Sequence, residues 1–350
     1  MEEQVRLELF TVRQVRQWLK TGKGERGLSD EVIPRTRAWA IINGPYAQED
    51  DPVVVAIFVN NIIAAHVLTF PELINGERYW WFPDLWCAPE HEGKGYSLIV
   101  IGTIAEMFGA DHCLDKWGAP EAVNVFQYLG LKVTYLPRYV LGPSIDISTA
   151  KGKFVHAIRA VQKLMHRVVE RPTQIEPYSL RYLSFIDNET YDFIAAHRNN
   201  DYFLHTQEFM NWVLQYPFSI AAPMIERVKN VLSFAAAETP DTQLYAVSVY
   251  YERKIIGFYL LKRLKNELHV LYLYYDSIHK TQVFASIRDH ILRLSMEQCY
   301  TENNDLAIYL RQQIYFPKCT QMAVSFTYPS SMKQPIAGNV QYGDGDCFAL

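Results

Sequence analysis

The sequence predicts an α+β protein of two similar domains in tandem, each a mixed, mostly antiparallel sheet flanked by helices in three layers. Three observations predict it. A plan of strand, turn, strand, turn, strand, loop and helix is legible twice, beginning near residue 53 and again near residue 244. Of 350 residues 49% are hydrophobic, enough for two cores of ordinary size. Residues 84–97, Asp-Leu-Trp-Cys-Ala-Pro-Glu-His-Glu-Gly-Lys-Gly-Tyr-Ser, lead into the apolar run Leu98-Ile99-Val100-Ile101. That pattern reads as the end of a buried strand, a glycine turn and the start of a largely buried helix.

Taken in order, Leu7, Leu9 and Phe10 followed by Val12, Val15, Trp18 and Leu19 describe a short strand entering an amphipathic helix. Residues 36–43 are apolar enough for either a strand or a buried helical turn, and 45–52 form a polar, acidic connector. Runs 53–59 and 62–70 are β-rich and meet at Asn60-Asn61, a pair that tolerates the left-handed backbone of a tight hairpin. A third run, 78–87, follows the turn Asn75-Gly76, so the last strand of this meander delivers the glycine loop. In the second half, runs 244–251, 255–261 and 268–276 repeat the meander. Helical patterns over about 281–297 and 306–315 and a strand at 322–328 follow.

The halves are not equivalent. Where the first has Gly93-Lys94-Gly95, the second has Asp276-Ser277-Ile278-His279-Lys280, with no glycine. Between them, 151–171 reads as an amphipathic interdomain helix with Phe154, Ile158, Val161, Met165 and Val168 on one side and a basic face on the other. The expected division is a first domain at 1–145, a linker helix at 146–177 and a second domain at 178–350.

Composition narrows the function. A net charge of −4 argues against a nucleic-acid partner. Five cysteines, Cys87, Cys113, Cys299, Cys319 and Cys347, lack Cys-x-x-Cys spacing, which argues against a disulfide framework or a zinc site. The histidines show no ligand spacing on a credible helix, so no metal is expected. Gly343-Asp344-Gly345-Asp346 has the residues of a metal-binding acidic pair but reads more simply as a polar turn. An acidic N-terminus and the lack of any apolar stretch of spanning length predict a cytoplasmic protein without an integral membrane segment.

The glycine turn is suited to an anion. Gly93 and Gly95 let the backbone approach closely, and the amides at the start of the following helix add positive potential at the same point. The segment 85–95, ending Ala88-Pro89-Glu90-His91-Glu92-Gly93-Lys94-Gly95, resembles the pyrophosphate-binding signature of the GNAT (GCN5-related) N-acetyltransferases. In that signature a strand runs into an Arg-Gly-x-Gly loop. Residues 122–131, Ala-Val-Asn-Val-Phe-Gln-Tyr-Leu-Gly-Leu, are similar to the closing motif of the same family. The resemblance covers about residues 50–135 well, and tandem copies are known in the family, so it implies a tandem-GNAT-like protein whose first half binds an acyl-CoA.

By that resemblance the main chain of Leu85, Trp86 and Cys87 would hold the thioester and pantetheine. Glu92, Gly93, Lys94, Gly95, Tyr96 and Ser97 would cradle the pyrophosphate, and Asp84 would act as the base. A carboxylate in the aromatic strand 79–86 is partly desolvated, which raises its pKa; the alternative is that Asp84 follows Pro83 in a bulge and satisfies backbone donors. Two departures stand out. Phe126 occupies the place of the family's thiolate-protonating tyrosine; Tyr128 points to another face, and Tyr96, Tyr135 or Tyr309 could substitute. Glu92 replaces a basic or polar residue.

The expected function is transfer of an acyl group, most simply acetyl from acetyl-CoA as cosubstrate, to a small-molecule or sugar-linked amine. One alternative is a catalytically degenerate binding or regulatory protein. Another is acyl or aminoacyl transfer to a cell-envelope or polysaccharide precursor, with the basic segment 151–171 against the acceptor.

Overall fold

The computed structural model describes residues 3–142, 178–215 and 243–345, apart from 117, 295 and 314–317. The first half runs β1 (Val5–Thr11), α1 (Val12–Thr21), α2 (Arg35–Ile42), β2 (Pro52–Val59), β3 (Ile62–Leu68), β4 (Phe70–Ile74), β5 (Glu77–Trp81), β6 (Trp86–Cys87), α3 (Tyr96–Phe108), β7 (Cys113–Lys116), α4 (Pro120–Tyr128) and β8 (Lys132–Gly142). The second half runs β9 (Ser179–Leu183), α5 (Asn188–His197), α6 (Gln207–Gln215), β10 (Gln243–Tyr251), β11 (Lys254–Leu264), β12 (Glu267–Tyr275), α7 (Lys280–Arg293), β13 (Gln298–Thr301), α8 (Asn304–Arg311) and β14 (Lys318–Tyr328). The order repeats, with β4, β5 and β6 standing where the second half has β12.

Local chemistry explains the boundaries. Thr11 caps α1 through a reciprocal pairing with Gln14, and Gly22 closes the helix in the left-handed conformation. Every residue of β2 is buried, as its unbroken Pro-Val-Val-Val-Ala-Ile-Phe-Val run requires for a strand covered on both faces. Asn60 and Asn61 take positive φ in the turn between β2 and β3. The ambiguous run at 36–43 is helical: α2 lays Ala38, Ala40, Ile41 and Ile42 into the core.

Two sheets result. One has the order β1-β2-β3-β6, and the other runs β4-β5-β7-β14-β8-β13-β12-β11-β10-β9. The halves exchange their last strands. β14, the last strand among the described residues, lies between β7 and β8 of the first half, while β8 reaches β13 of the second. β8 and β14 pair antiparallel along their whole length, from Lys132 with Tyr328 to Gly142 with Lys318.

Helices cover both faces of the first-half sheets. One core packs α3 and α4 against β2, β3 and β5 through Val55, Ile57, Val67, Val100, Ile104 and Phe126. A second core is continuous between the halves, joining α1, α2, Phe70 and Trp81 to Phe203, Phe209 and Trp212. A third lies under α7 and α8.

The expected meander is divided. The run 62–70 ends at Leu68, and Phe70 opens a strand of the larger sheet. The run 78–87 breaks between Trp81 and Trp86, because Pro83 has no N–H for a ladder and Asp84 sits at φ 58°. The linker helix expected at 146–177 lies outside the described residues.

Candidate functional site

The break at 82–85 builds the site. β5 runs parallel to β7, with Trp80 opposite Cys113 and Trp81 opposite Leu114. Past the kink, β6 leaves β7 and joins β3, with Trp86 opposite His66 and Cys87 opposite Ala65. Two strands that begin side by side therefore splay, and a wedge opens between them. Ala88 N–H donates to the Ala64 carbonyl, so the antiparallel alternation turns the main-chain groups of Leu85 and Cys87 away from β3, into the wedge. Leu85, Trp86 and Cys87 are each partly exposed.

Asp84 lies at the kink, but a partner stands beside it. Its carboxylate forms an ion pair with Arg37 of α2, and both side chains are almost fully buried. The carboxylate is thus engaged by a buried counter-charge and is not a free group in the wedge. Sequence reasoning foresaw neither Arg37 nor His66, which stacks obliquely on Trp86 with ring centroids 5.4 Å apart. Burial, and then the Arg37 charge, push His66 down to about 3, so the ring is neutral. Arg37, the second arginine of Arg-Thr-Arg-Ala-Trp-Ala-Ile-Ile and the one followed directly by the apolar run, was the available signal for a buried charge.

The glycine loop is open. Gly93 and Gly95 have φ of 77° and 81°, and a Cβ at either would meet nothing within 4 Å. Gly95 is the N-cap of α3 and supplies no side-chain cap; the first bonded helical amide is that of Ile99, to Gly95. The amides of Tyr96, Ser97 and Leu98 thus face outward, as first-turn amides do. Among the described residues Gly93 and Gly95 N–H have no backbone partner, whereas Glu92 N–H bonds the Pro89 carbonyl and Lys94 N–H bonds that of His91. Only part of the expected cradle is therefore available, because the 3₁₀ turn Pro89–His91 takes up two of its donors. The Lys94 ammonium lies 3.2 Å from His91 Nδ1 and 3.5 Å from Glu3 Oε1. The Glu92 side chain is exposed. Tyr96 is buried beneath the loop. Burial pushes the Cys87 thiol up, with a Ser97 hydrogen bond opposing it, so these two side chains meet where β6 approaches α3.

Phe126 is core, stacked on Phe82 at 5.9 Å. Tyr128 is 89% exposed on the opposite face of α4, and Tyr135 points outward from β8. Tyr309 belongs to the second half, against Phe284. In Asp111-His112-Cys113 the acid and imidazole pair at 3.1 Å, while the thiol is buried in β7, bonds the Gly109 carbonyl and is pushed up to about 12.

The second half has the same parallel strand pair but a different filling. β12 and β13 pair only from Glu267 to His269, then part. Residues 339–345 lie against β12 at this point: Gly343 N–H donates to the Leu271 carbonyl, Tyr342 bonds His269 at 2.7 Å, and Tyr272 donates to Gly343. The loop before α7 is capped by Asp276, whose carboxylate accepts from Ile278 N–H. A carboxylate there repels phosphate. Asp344 bonds His205 at 2.8 Å, and Asp346 lies outside the described residues; among the described residues no group of His, Cys, Asp or Glu is arranged to hold an ion.

A doubled sheet with a splayed strand pair and an open glycine turn in its first copy is the fold of the GNAT N-acetyltransferases, here in tandem. The chain is similar, at 10% identity and a TM-score of 0.53, to a tandem GNAT protein from the clavulanic acid biosynthesis pathway; the match covers 95% of this chain and 100% of that one. It is also similar to a putative acetyltransferase from Pyrococcus horikoshii, at 10% identity and a TM-score of 0.51, over 97% of this chain and 93% of the other. No protein-family model matches the chain, and no curated protein matches it by sequence. No helix among the described residues is long and apolar enough to cross a membrane.

Proposed function

We propose that the first half binds an acyl-CoA, most simply acetyl-CoA, and transfers its acyl group to an amine. The open amides of Gly93, Gly95 and the first turn of α3, with unobstructed space over both glycines, carry this reading. They hold the pyrophosphate, with the Lys94 ammonium nearby. The main chain of Leu85 and Cys87, exposed in the wedge, bonds the pantetheine arm and polarises the thioester carbonyl. A neutral amine attacks that carbonyl; the C–N bond forms, the C–S bond breaks and the thiolate leaves. With Phe126 in the core, water carries the proton that the acylated nitrogen loses to the departing thiolate. Asp84, held by Arg37, fixes the kink that opens the wedge; because Asp84→Asn also costs stability, its part in taking the ammonium proton is tested by whether the pH profile of turnover changes in the folded fraction of that variant.

Calorimetric titration with CoA tests the site. The expected result is saturable binding, lost in Gly93→Asp and in Gly95→Asp, where a carboxylate enters the anion site. Absence of binding to the unaltered chain would overturn the proposal. A second reading, a GNAT-fold binding protein without turnover, is favoured by the pairing of Asp84 and by Phe126. Thiol release from acetyl-CoA with a panel of amines separates the two: binding without release selects the second.

A further inference from the structure

A cleft of about 470 Å³ lies between the halves, lined by no residue of the glycine loop, where the end of α2 faces the start of α5 and one side of α6. Its volume is that of a small-ligand site. Of the nine residues lining it, five carry carboxamides, one is a carboxylate and none is a cation. We propose that this cleft binds a carbohydrate through hydroxyl–carboxamide hydrogen bonds, with Phe185 as a stacking platform.

The argument is one of matched groups. A carboxamide offers donors and an acceptor side by side, which suits sugar hydroxyls that both donate and accept. Part of the set is already spent on rigidity. Asn211 accepts from Ile186 N–H at 2.7 Å and donates back to the Ile186 carbonyl at 3.1 Å. Gln207 donates to that same carbonyl at 2.9 Å and to Asn188 Oδ1 at 3.0 Å. These bonds hold the loop that carries Phe185, a residue 60% exposed. Other polar atoms of the lining residues are left over from these bonds: Asn43 uses its Nδ2 on the Trp39 carbonyl and keeps its oxygen, Gln207 keeps its oxygen, and Asn188 keeps its Nδ2. The wall is fixed from behind by Trp212, whose Nε1 donates to the Ala40 carbonyl at 2.8 Å across the two halves. A phosphate or carboxylate ligand would meet Glu208 with no compensating cation, so the lining selects against anions.

This inference does not depend on acyl-CoA binding. The test is calorimetry on the full chain with cellobiose and with N,N′-diacetylchitobiose, with inorganic phosphate as competitor and CoA titrated separately. Saturable binding of at least one disaccharide is expected, weakened about tenfold in Phe185→Ala and in Gln215→Ala, the scale of one stacking or hydrogen-bonding contact. The thermal midpoint and CoA titration of both variants should match those of the unaltered chain, since both side chains are exposed. The proposal is overturned if neither sugar saturates by about 10 mM, ten times a Kd of about 1 mM. It is equally overturned if both variants bind sugar unchanged, or if phosphate displaces the sugar.

Discussion

Asp84 and Arg37 show how a single contact changes the reading of a residue. An acidic residue in an aromatic strand suggests a raised pKa, yet the tertiary fold puts a guanidinium against it. Asp84→Asn leaves that guanidinium buried without its counter-charge, and a loss of about 3–5 kcal/mol in denaturant unfolding is expected; Arg37→Met combined with Asp84→Leu should restore much of it. A loss below about 1 kcal/mol would mean that the pair is solvated. His66 supplies a second test at this scale. Held down to about 3 when folded and near 6.5 when unfolded, it gives the unfolded chain the greater proton uptake between those values. Its contribution is therefore present above about 6.5 and lost as pH falls towards 3. His66→Leu should flatten the acid limb of stability against pH by up to one proton, about 1.4 kcal/mol per unit. An unchanged slope would show that the ring is already protonated in the folded state.

Among the elements, β14 has the widest consequence. The sequence reads it as a strand of the second half, whereas it pairs with β7 and β8 of the first. A fragment of residues 1–145 therefore exposes β7 and β8 as unpaired edges beside Leu136, Leu141 and Leu114, all buried in the intact chain. It is expected to aggregate or to lack cooperative unfolding by circular dichroism, and a soluble, cooperatively folding fragment would count against this role. The glycine turn and the β2–β3 hairpin were legible because backbone conformation dictates residue type there: Gly93 and Gly95 at positive φ, and the two asparagines at 60–61. The break at 82–85 was legible only as Pro83, since which sheet each fragment joins depends on strands far away in sequence.

At the scale of the molecule, the halves are locked by buried charge. Lys116 of β7 and Arg138 of β8 both reach Glu302, beyond β13, and Lys116 also donates to the Gln341 carbonyl at 2.8 Å. A second cluster joins Glu72 of β4, Asp201 and His205 before α6, and Asp344 near the C-terminus. Burial pushes Glu72 up to about 7 against the opposing pull of His205; burial and then Asp344 push Asp201 up to about 7. Burial pulls His205 down, but Glu72 and Asp344 outweigh it and raise it overall. All three groups hold protons longer in the folded chain. Their contribution is present at low pH and lost as pH rises, for Glu72 between about 4.5 and about 7. Glu72→Gln should reduce that decline in a series of thermal midpoints, and an identical profile would exclude Glu72 as its source.

The sequence by itself determined the doubled strand–helix plan, the position of the glycine turn and the inequality of the halves, because each rests on short-range periodicity or on a glycine that a local conformation demands. Only the tertiary structure decided that the last strands are exchanged, that Arg37 occupies Asp84, that residues 339–345 fill the second half's parted strands and that a carboxamide-lined cleft lies between the halves. Those features are made by side chains and edges that meet across long stretches of chain. Apolar pattern shows that such surfaces are buried, and packing selects the partner each one meets.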